Sequence, residues 1–297
     1  MRKVKILTDS CGDLTGEILE KYDIDYVKMS TILDGKESPA LLTWTEDEVH
    51  EFYGNMKNGK RYTTAQVSTE EFTNVFGKYL KEGYDIVYVG CATKQTGSVN
   101  TGNVVAKSLL EKEPEAKIFC IDSLNATGGE GLLAVEAAKM AQAGDDAQTI
   151  ADHIIKIRKT VNEYATVNSL EYFKKAGRVS ASSAFFGNLM GVKPILLADA
   201  VGNQAAFKKV KGRQNSLQEL VNLMKDSIVE PEKQTIVLLH ADCEKEEVES
   251  LKKMIEDAIP CKGVYVSYLG PIIGATTGPG CFGIFAFGKE VTYKSEE

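Results

Sequence analysis

Two short stretches of this 297-residue chain are dense in hydroxyl groups. One reads Thr63-Thr64-Ala65-Gln66-Val67-Ser68, in a loop just before a capped helix. The other reads Thr93-Lys94-Gln95-Thr96-Gly97-Ser98, between a strand and a helix. A threonine hydroxyl beside the N–H groups of a helix start makes a small anion site without a full positive charge. Such a site suits a carboxylate, because hydrogen bonds to an ionised acceptor are the stronger kind. Taken singly, either loop is better read as an ordinary N-cap.

Other chemistries are less well supported. Gly54-Asn55-Met56-Lys57-Asn58-Gly59-Lys60 matches the body of a phosphate-binding P-loop, but Arg61 stands where the metal-binding hydroxyl belongs and the stretch follows a helix. Gly129-Glu130-Gly131-Leu132-Leu133-Ala134 matches a dinucleotide fingerprint, yet the preceding strand ends too early, at Asp122. Asp9 and Asp13 lack the i, i+2 spacing of a strand-end aspartyl nucleophile and read as turn and capping residues. There is no G-x-S-x-G elbow. The six cysteines, Cys11, Cys91, Cys120, Cys243, Cys261 and Cys281, contain no C-x-x-C pair, so neither a metal site nor a disulfide framework is expected. His50 and His153 fall in amphipathic helices, while His240 ends a strand, where a function stays open. No catalytic residue and no cofactor is expected.

The elements that must position the two loops alternate. A strand at 4–8 is followed by a short helix at 17–22 and extended chain at 24–29. Thr45 with Glu48, and Ser68 with Glu71, each make a capping box at the start of an amphipathic helix. Strands are expected at 85–90 and 117–122, and helices at 98–111, 130–143 and 147–161. This alternation predicts an open, largely parallel sheet covered on both faces, with ligands at the carboxyl ends of its strands. After residue 161 the pattern becomes α+β. It has a brief strand at 165–167, helices at 170–175 and 181–190, and a hairpin of 193–198 with 205–210. Helices at 217–229 and 244–258 then enclose a strand at 235–240. The fold class is therefore α/β in two domains: a parallel-sheet domain over 1–161 and an α+β domain over 162–297. The ligand is expected in the cleft between them.

Toward the end, Gly270-Pro271-Ile272-Ile273-Gly274-Ala275-Thr276-Thr277-Gly278-Pro279-Gly280 joins two apolar stretches, and no charge falls between Lys262 and Lys289. Its prolines and glycines exclude a membrane helix. It reads as two buried strands around a tight glycine loop, which lets backbone approach a ligand or another domain. A hydrophobic content of 43% and a charged content of 26% are ordinary for a soluble globular protein. A net charge of −7 argues against nucleic acid and anionic membranes as partners. The first residues reach a charge before any apolar signal core forms, so a cytoplasmic location is expected.

Several short stretches occur in a specific order: Thr8-Asp9-Ser10-Cys11-Gly12-Asp13-Leu14, Thr64-Ala65-Gln66-Val67-Ser68, Thr96-Gly97-Ser98, Ile121-Asp122-Ser123 and Gly129-Glu130-Gly131. They continue with Leu170-Glu171-Tyr172-Phe173 through Gly177-Arg178-Val179-Ser180, Gly187-Asn188-Leu189, Val192-Lys193-Pro194, Gly212-Arg213, His240-Ala241-Asp242-Cys243 and the glycine-rich segment. In this order they make the chain resemble the DegV family over nearly its whole length. The resemblance implies two α/β domains with a long-chain fatty acid held noncovalently between them. It also implies a non-enzymatic protein similar to the acyl-carrying subunit that presents a fatty acid to a separate fatty acid kinase.

By position, Thr64 and Thr96 match that family's carboxylate ligands and Arg178 matches the arginine near the acid, with Gly97, Ser98 and Thr276 beside them. The acyl tail is expected among Phe185, Phe186, Leu189, Met190, Ile195, Ile272 and Ile273. Three positions depart from the family pattern. Val67 replaces a common proline, and Thr96-Gly97-Ser98 replaces Ser-Gly-Thr while keeping the hydroxyls. Thr276 stands where many members carry histidine. Threonine hydrogen-bonds a carboxylate but carries no charge and shuttles no proton near neutral pH. Acid binding therefore survives the change more easily than phosphoryl transfer does. Two alternatives stay open: a stand-alone lipid hydrolase or phosphatase using hydroxyls beside Asp9, Asp122 and Arg178, and a lipid carrier or sensor without a kinase partner.

Overall fold

The computed structural model describes residues 2–180 and 191–295. Its first sheet is built from the apolar runs. β1 (Lys3–Asp9) and β6 (Tyr84–Gly90) are buried along most of their length, as strands covered on both faces must be. They pair in parallel, with β2 (Ile24–Val27) outside β1 and β7 (Ile118–Asp122) outside β6. The short helix α1 (Gly16–Tyr22) carries the chain from β1 to β2. On one face, α3 (Thr69–Lys81) and α4 (Ser98–Leu110) pack Phe72, Phe76 and Val105 against Leu7, Ile86 and Tyr88. On the other, α5 (Thr127–Ala143) and α6 (Ala147–Ile157) pack Leu133, Ile150 and Ile154 against Ile6, Val87 and Val89. Successive strands are added on opposite sides of the β1–β6 pair, so the strand order reverses there. A doubly wound sheet opens its crevice at the carboxyl ends of such a pair.

Local capping follows the sequence in one case and half-follows it in the other. Thr45 caps α2 (Glu46–Lys57) with a complete box: its hydroxyl accepts the Glu48 N–H at 3.3 Å, and the Glu48 carboxylate accepts the Thr45 N–H at 2.7 Å. Ser68 caps α3 by accepting the Glu71 N–H at 3.0 Å. The Glu71 carboxylate instead accepts the Lys28 N–H at 3.0 Å and ties α3 to the chain after β2. A small antiparallel sheet was not expected: β3 (Ser30–Leu33) lies between β4 (Lys36–Pro39) and β5 (Thr63–Ala65). Thr64 therefore sits on a strand, opposite Thr31.

The second sheet has the order β10-β9-β8-β13-β11-β12. Its strands are β8 (Val161–Thr166), β9 (Val192–Ala198), β10 (Gln204–Lys211), β11 (Thr235–His240), β12 (Gly263–Tyr268) and β13 (Phe282–Phe287). β11 and β12 are its parallel pair, and β9 with β10 form the expected hairpin. α8 (Arg213–Ser227) and α9 (Lys245–Ala258) cover its outer face. Between β8 and β9 runs the short helix α7 (Glu171–Ala176). The helix expected at 181–190 lies outside the described residues.

The glycine-rich segment differs from its expected form. β11 lies between β12 and β13, so these two do not make a hairpin, and Pro271–Thr277 folds as a helix, α10. Pro271 sits in the first helical turn, where a missing N–H is harmless and a fixed φ suits the helix. Gly278, at φ 75°, and Pro279 end it. The prolines bracket this helix instead of breaking it. Gly274 packs on α2 so closely that a Cβ there would lie 2.4 Å from the Tyr53 hydroxyl oxygen. That hydroxyl donates to the Leu269 carbonyl at 2.7 Å and anchors the entry to α10. Among the described residues no helix is long and apolar enough to cross a membrane.

Candidate functional site

A cavity of about 410 Å³ opens at the strand-order reversal and extends to the inner face of the second sheet. Cys11 and Cys91 line it just past the ends of β1 and β6, with Ala126 and Thr127 at the start of α5. Ile272, Ile273 and Ala275 of α10 form another wall. Strand alternation decides what the second sheet contributes. Gly283 and Phe285 of β13 face the cavity, whereas Phe282, Ile284 and Ala286 pack beneath α8 and α9. The same parity turns Leu196 inward and Ile195 outward, where Ile195 is buried with Leu217 and Leu220. Ile195, expected along the tail, therefore does not line the cavity. Phe185, Phe186, Leu189 and Met190 lie outside the described residues.

Of the other expected residues, all but the fully buried Ser98 reach the lining. Thr64, Thr96, Gly97, Arg178, Thr276, Ile272 and Ile273 all line this cavity. Thr96 and Gly97 stand at the start of α4, whose N-cap, Gly97, has no side chain to satisfy the first N–H groups. Thr96 Oγ1 lies 3.1 Å from Ser98 Oγ, and the fully buried Ser98 hydroxyl accepts the Val67 N–H at 3.2 Å. Ser98 thus joins the α4 start to the chain leaving β5. Arg178 donates through Nε to the Gln95 carbonyl at 2.5 Å and through Nη1 to the Ala176 carbonyl at 3.0 Å. Arg61 donates to the Lys175 carbonyl at 2.8 Å. Arg61, Lys175 and Arg178 give this wall a positive field in an otherwise acidic chain, which favours an anion. The Thr276 hydroxyl donates back to the Ile272 carbonyl of its own helix at 3.3 Å.

Behind the cavity lies a buried carboxyl network, of which the sequence presented Asp9 and Asp13 as turn and capping residues and Glu130 as part of a glycine-rich helix entry. Asp9 accepts the Tyr88 hydroxyl at 2.6 Å and the Cys11 N–H at 2.8 Å. Glu130 accepts the Thr8 hydroxyl at 2.6 Å. Asp13 accepts the Thr127 hydroxyl at 2.6 Å and the Gly270 N–H at 3.0 Å, joining the start of α5 to the entry of α10. Burial raises all three above the usual carboxyl range, Asp13 to about 8. Of Asp9, Asp122 and Arg178, the groups a hydrolase would need together, Arg178 lines the cavity. His240 is not on the cavity wall either, and burial lowers it to about 4.

Residues 3–289 match the family described as an uncharacterised protein family, DegV. The chain belongs to the DegV family. It is 33% identical over 288 residues to a DegV domain-containing protein of Clostridium perfringens, covering 97% of this chain and 98% of that one. Its fold is similar to that of a DegV lipid binding protein from Thermotoga maritima, at 26% identity and a TM-score of 0.84, covering 98% of this chain and 100% of the other. It is also similar in fold to a DegV family protein from Thermus thermophilus described by its fatty acid binding, at 22% identity and a TM-score of 0.85, covering 97% and 100%.

In this DegV chain, sequence reasoning did not anticipate several cavity residues: Cys11, Met29, Cys91, Gln95, Glu163 and Gln204. Only Cys11 and Cys91, following apolar strands that end at a crevice, carried a usable signal.

Proposed function

We propose that the chain binds one long-chain fatty acid noncovalently in this cavity, between an N-terminal domain at 1–161 and a C-terminal domain at 162–297. The carboxylate sits between Thr64 and Thr96, and the tail lies against Ile272, Ile273 and the inner face of β8 and β13. One observation carries the reading: a cavity of about 410 Å³, walled partly by apolar residues of α10 and the second sheet, has threonine hydroxyls, the start of α4 and arginines together on its lining. The volume falls in the range of about 300–1,000 Å³ usual for small-molecule sites. The Thermotoga maritima relative, described as lipid binding, supports the same reading.

A tail of about 14 methylenes gains roughly 10 kcal/mol at about 0.8 kcal/mol each, part of which is offset by immobilising the chain. Affinity thus comes mainly from the tail, and orientation from the hydroxyls. Native mass spectrometry of protein purified from cells should show a bound acyl mass. Thr64→Val and Thr96→Val should each weaken the acid by about 1–3 kcal/mol, the cost of a carboxylate left without a donor, and weaken the matching fatty alcohol much less. Absence of any acyl mass, with no binding on addition, removes the reading. Equal losses for acid and alcohol place the carboxylate elsewhere.

The reading extends to presenting the bound acid to a fatty acid kinase. Arg178 supplies a cation for the charge that grows as an acyl phosphate forms. Thr276 supplies none, and its hydroxyl is engaged within α10. Protein loaded with fatty acid, mixed with the kinase of the same cell, ATP and magnesium, is expected to yield acyl phosphate slowly, and faster after Thr276→His. No product from either form, with acid still bound, leaves a lipid carrier or sensor.

A further inference from the structure

One group on the cavity wall has no task in holding a plain hydrocarbon tail. Glu163 lies on β8 opposite Phe285 of β13, two residues from Ala165, and shares their cavity-facing side. It is 4% exposed. Its Oε1 accepts a hydrogen bond from the side-chain amide of Gln204 at 2.9 Å, and Gln204 is also buried on the lining. Its Oε2 is buried and, among the described residues, meets no donor or acceptor. The side-chain nitrogen of Gln95, another lining residue, is likewise buried without a partner among the described residues. Desolvation holds the Glu163 carboxyl up at about 7. An unsatisfied carboxyl against methylenes costs free energy that a leucine at the same place would not.

We infer that the cavity is built for a long-chain acid bearing a hydroxyl group along its chain, seated at Glu163 and Gln204. The inference rests on the fatty-acid reading above and specifies its ligand class. A hydroxyl both donates and accepts, so it can donate to Glu163 Oε2 while accepting from an amide N–H. A ketone at the same carbon only accepts. It loses the Glu163 partner once that carboxyl is ionised, whereas the hydroxyl keeps it. Sites that hydrogen-bond a ligand hydroxyl discriminate strongly against the analogue lacking it, because their own buried groups are then left unpaired.

The test compares octadecanoic acid with hydroxyoctadecanoic acids bearing the hydroxyl beside the carboxylate, at mid-chain or on the terminal carbon, using lipid-stripped protein. A mid-chain or terminal hydroxy acid is expected to bind the wild type about tenfold or more tighter than octadecanoic acid. Glu163→Leu should reverse that order by strengthening octadecanoic acid, and Glu163→Gln should keep it. The wild-type comparison needs no variant, so a folding defect in Glu163→Leu does not decide the question. Equal wild-type affinity for all four acids, or a gain only for the hydroxyl beside the carboxylate, overturns the inference and leaves fatty-acid binding intact. If none of the acids binds, the fatty-acid reading falls and this inference with it.

Discussion

Ala165→Trp is expected to remove long-chain acid binding while leaving the protein folded. Ala165 is buried on β8, points into the cavity and sits opposite Gly283 of β13, so the wall there is made of the two smallest side chains. An indole at this position projects into about 410 Å³ of space instead of into packed core. Aromatic residues suit strands, and filling a void adds contacts where core overpacking would add strain. The lipid-free variant should therefore melt no lower than the wild type. If the indole excludes about six methylenes, the loss is about 5 kcal/mol at roughly 0.8 kcal/mol each, or more than three decades in affinity. A short-chain acid, which never reaches Ala165, should lose far less. Titration of both acids against both proteins checks this. Unchanged affinity of a long-chain acid would mean that the tail takes another path.

How much of this arrangement was legible depends on whether the signal was local. The Thr45–Glu48 box lies within four residues, so its identity was enough, and both bonds are made. Ser68–Glu71 carries the same signature, but the Glu71 carboxylate finds the distant Lys28 N–H, which no local pattern reveals. β1 and β6 were readable because burial on both faces demands a continuous apolar run. β3, β4 and β5 were not, since they are short and carry mostly polar residues, with β4 exposed throughout. α10 was misread because a proline in the first turn and one deep inside a helix look alike until the helix start is known. Thr64, Thr96 and Arg178 were named from order and resemblance, and they do meet at one cavity. Ile195 and Leu196 are equally apolar, and only the strand's register says which faces inward. Glu163 stands in the mixed run Val161–Thr166, whose inward face is set by its partners on β13.

Raising the pH from about 5 to about 9 is expected to destabilise the lipid-free protein steadily. Asp13 moves from 3.8 in the unfolded chain to about 8, and Glu163 from 4.5 to about 7, each because burial penalises the charge. Asp9 and Glu130 are raised for the same reason, and the Asp9 charge pushes Glu130 up further. A raised carboxyl keeps its proton in the folded state after the unfolded chain has released it. Its contribution is full below the unfolded pKa, drains by about 1.4 kcal/mol per pH unit, and is gone above the folded pKa. His240 acts in the opposite sense. It is lowered from 6.5 to about 4, so stability is lost as pH falls between those values. One imidazole opposes several carboxyls, and the net slope stays negative between about pH 5 and 8.

Asp13→Asn isolates one of these raised carboxyls, the one held up to about 8. An asparagine can still accept the Gly270 N–H and donate to the Thr127 hydroxyl, so the link between α5 and α10 survives without a charge to bury. Urea unfolding at several pH values should show a shallower slope for this variant, with the greatest gain over wild type above about pH 8. Identical slopes would mean that Asp13 is not the carboxyl that drains stability. A flat wild-type profile would mean that the network is charged and solvated in the folded state. Because burial penalises the charged form of Asp13, its ionisation favours openings that hydrate the carboxylate and so part the entry of α10, with Ile272, Ile273 and Thr276, from the start of α5. Lipid affinity of the wild type should therefore fall over the same pH range, and that of Asp13→Asn should fall less.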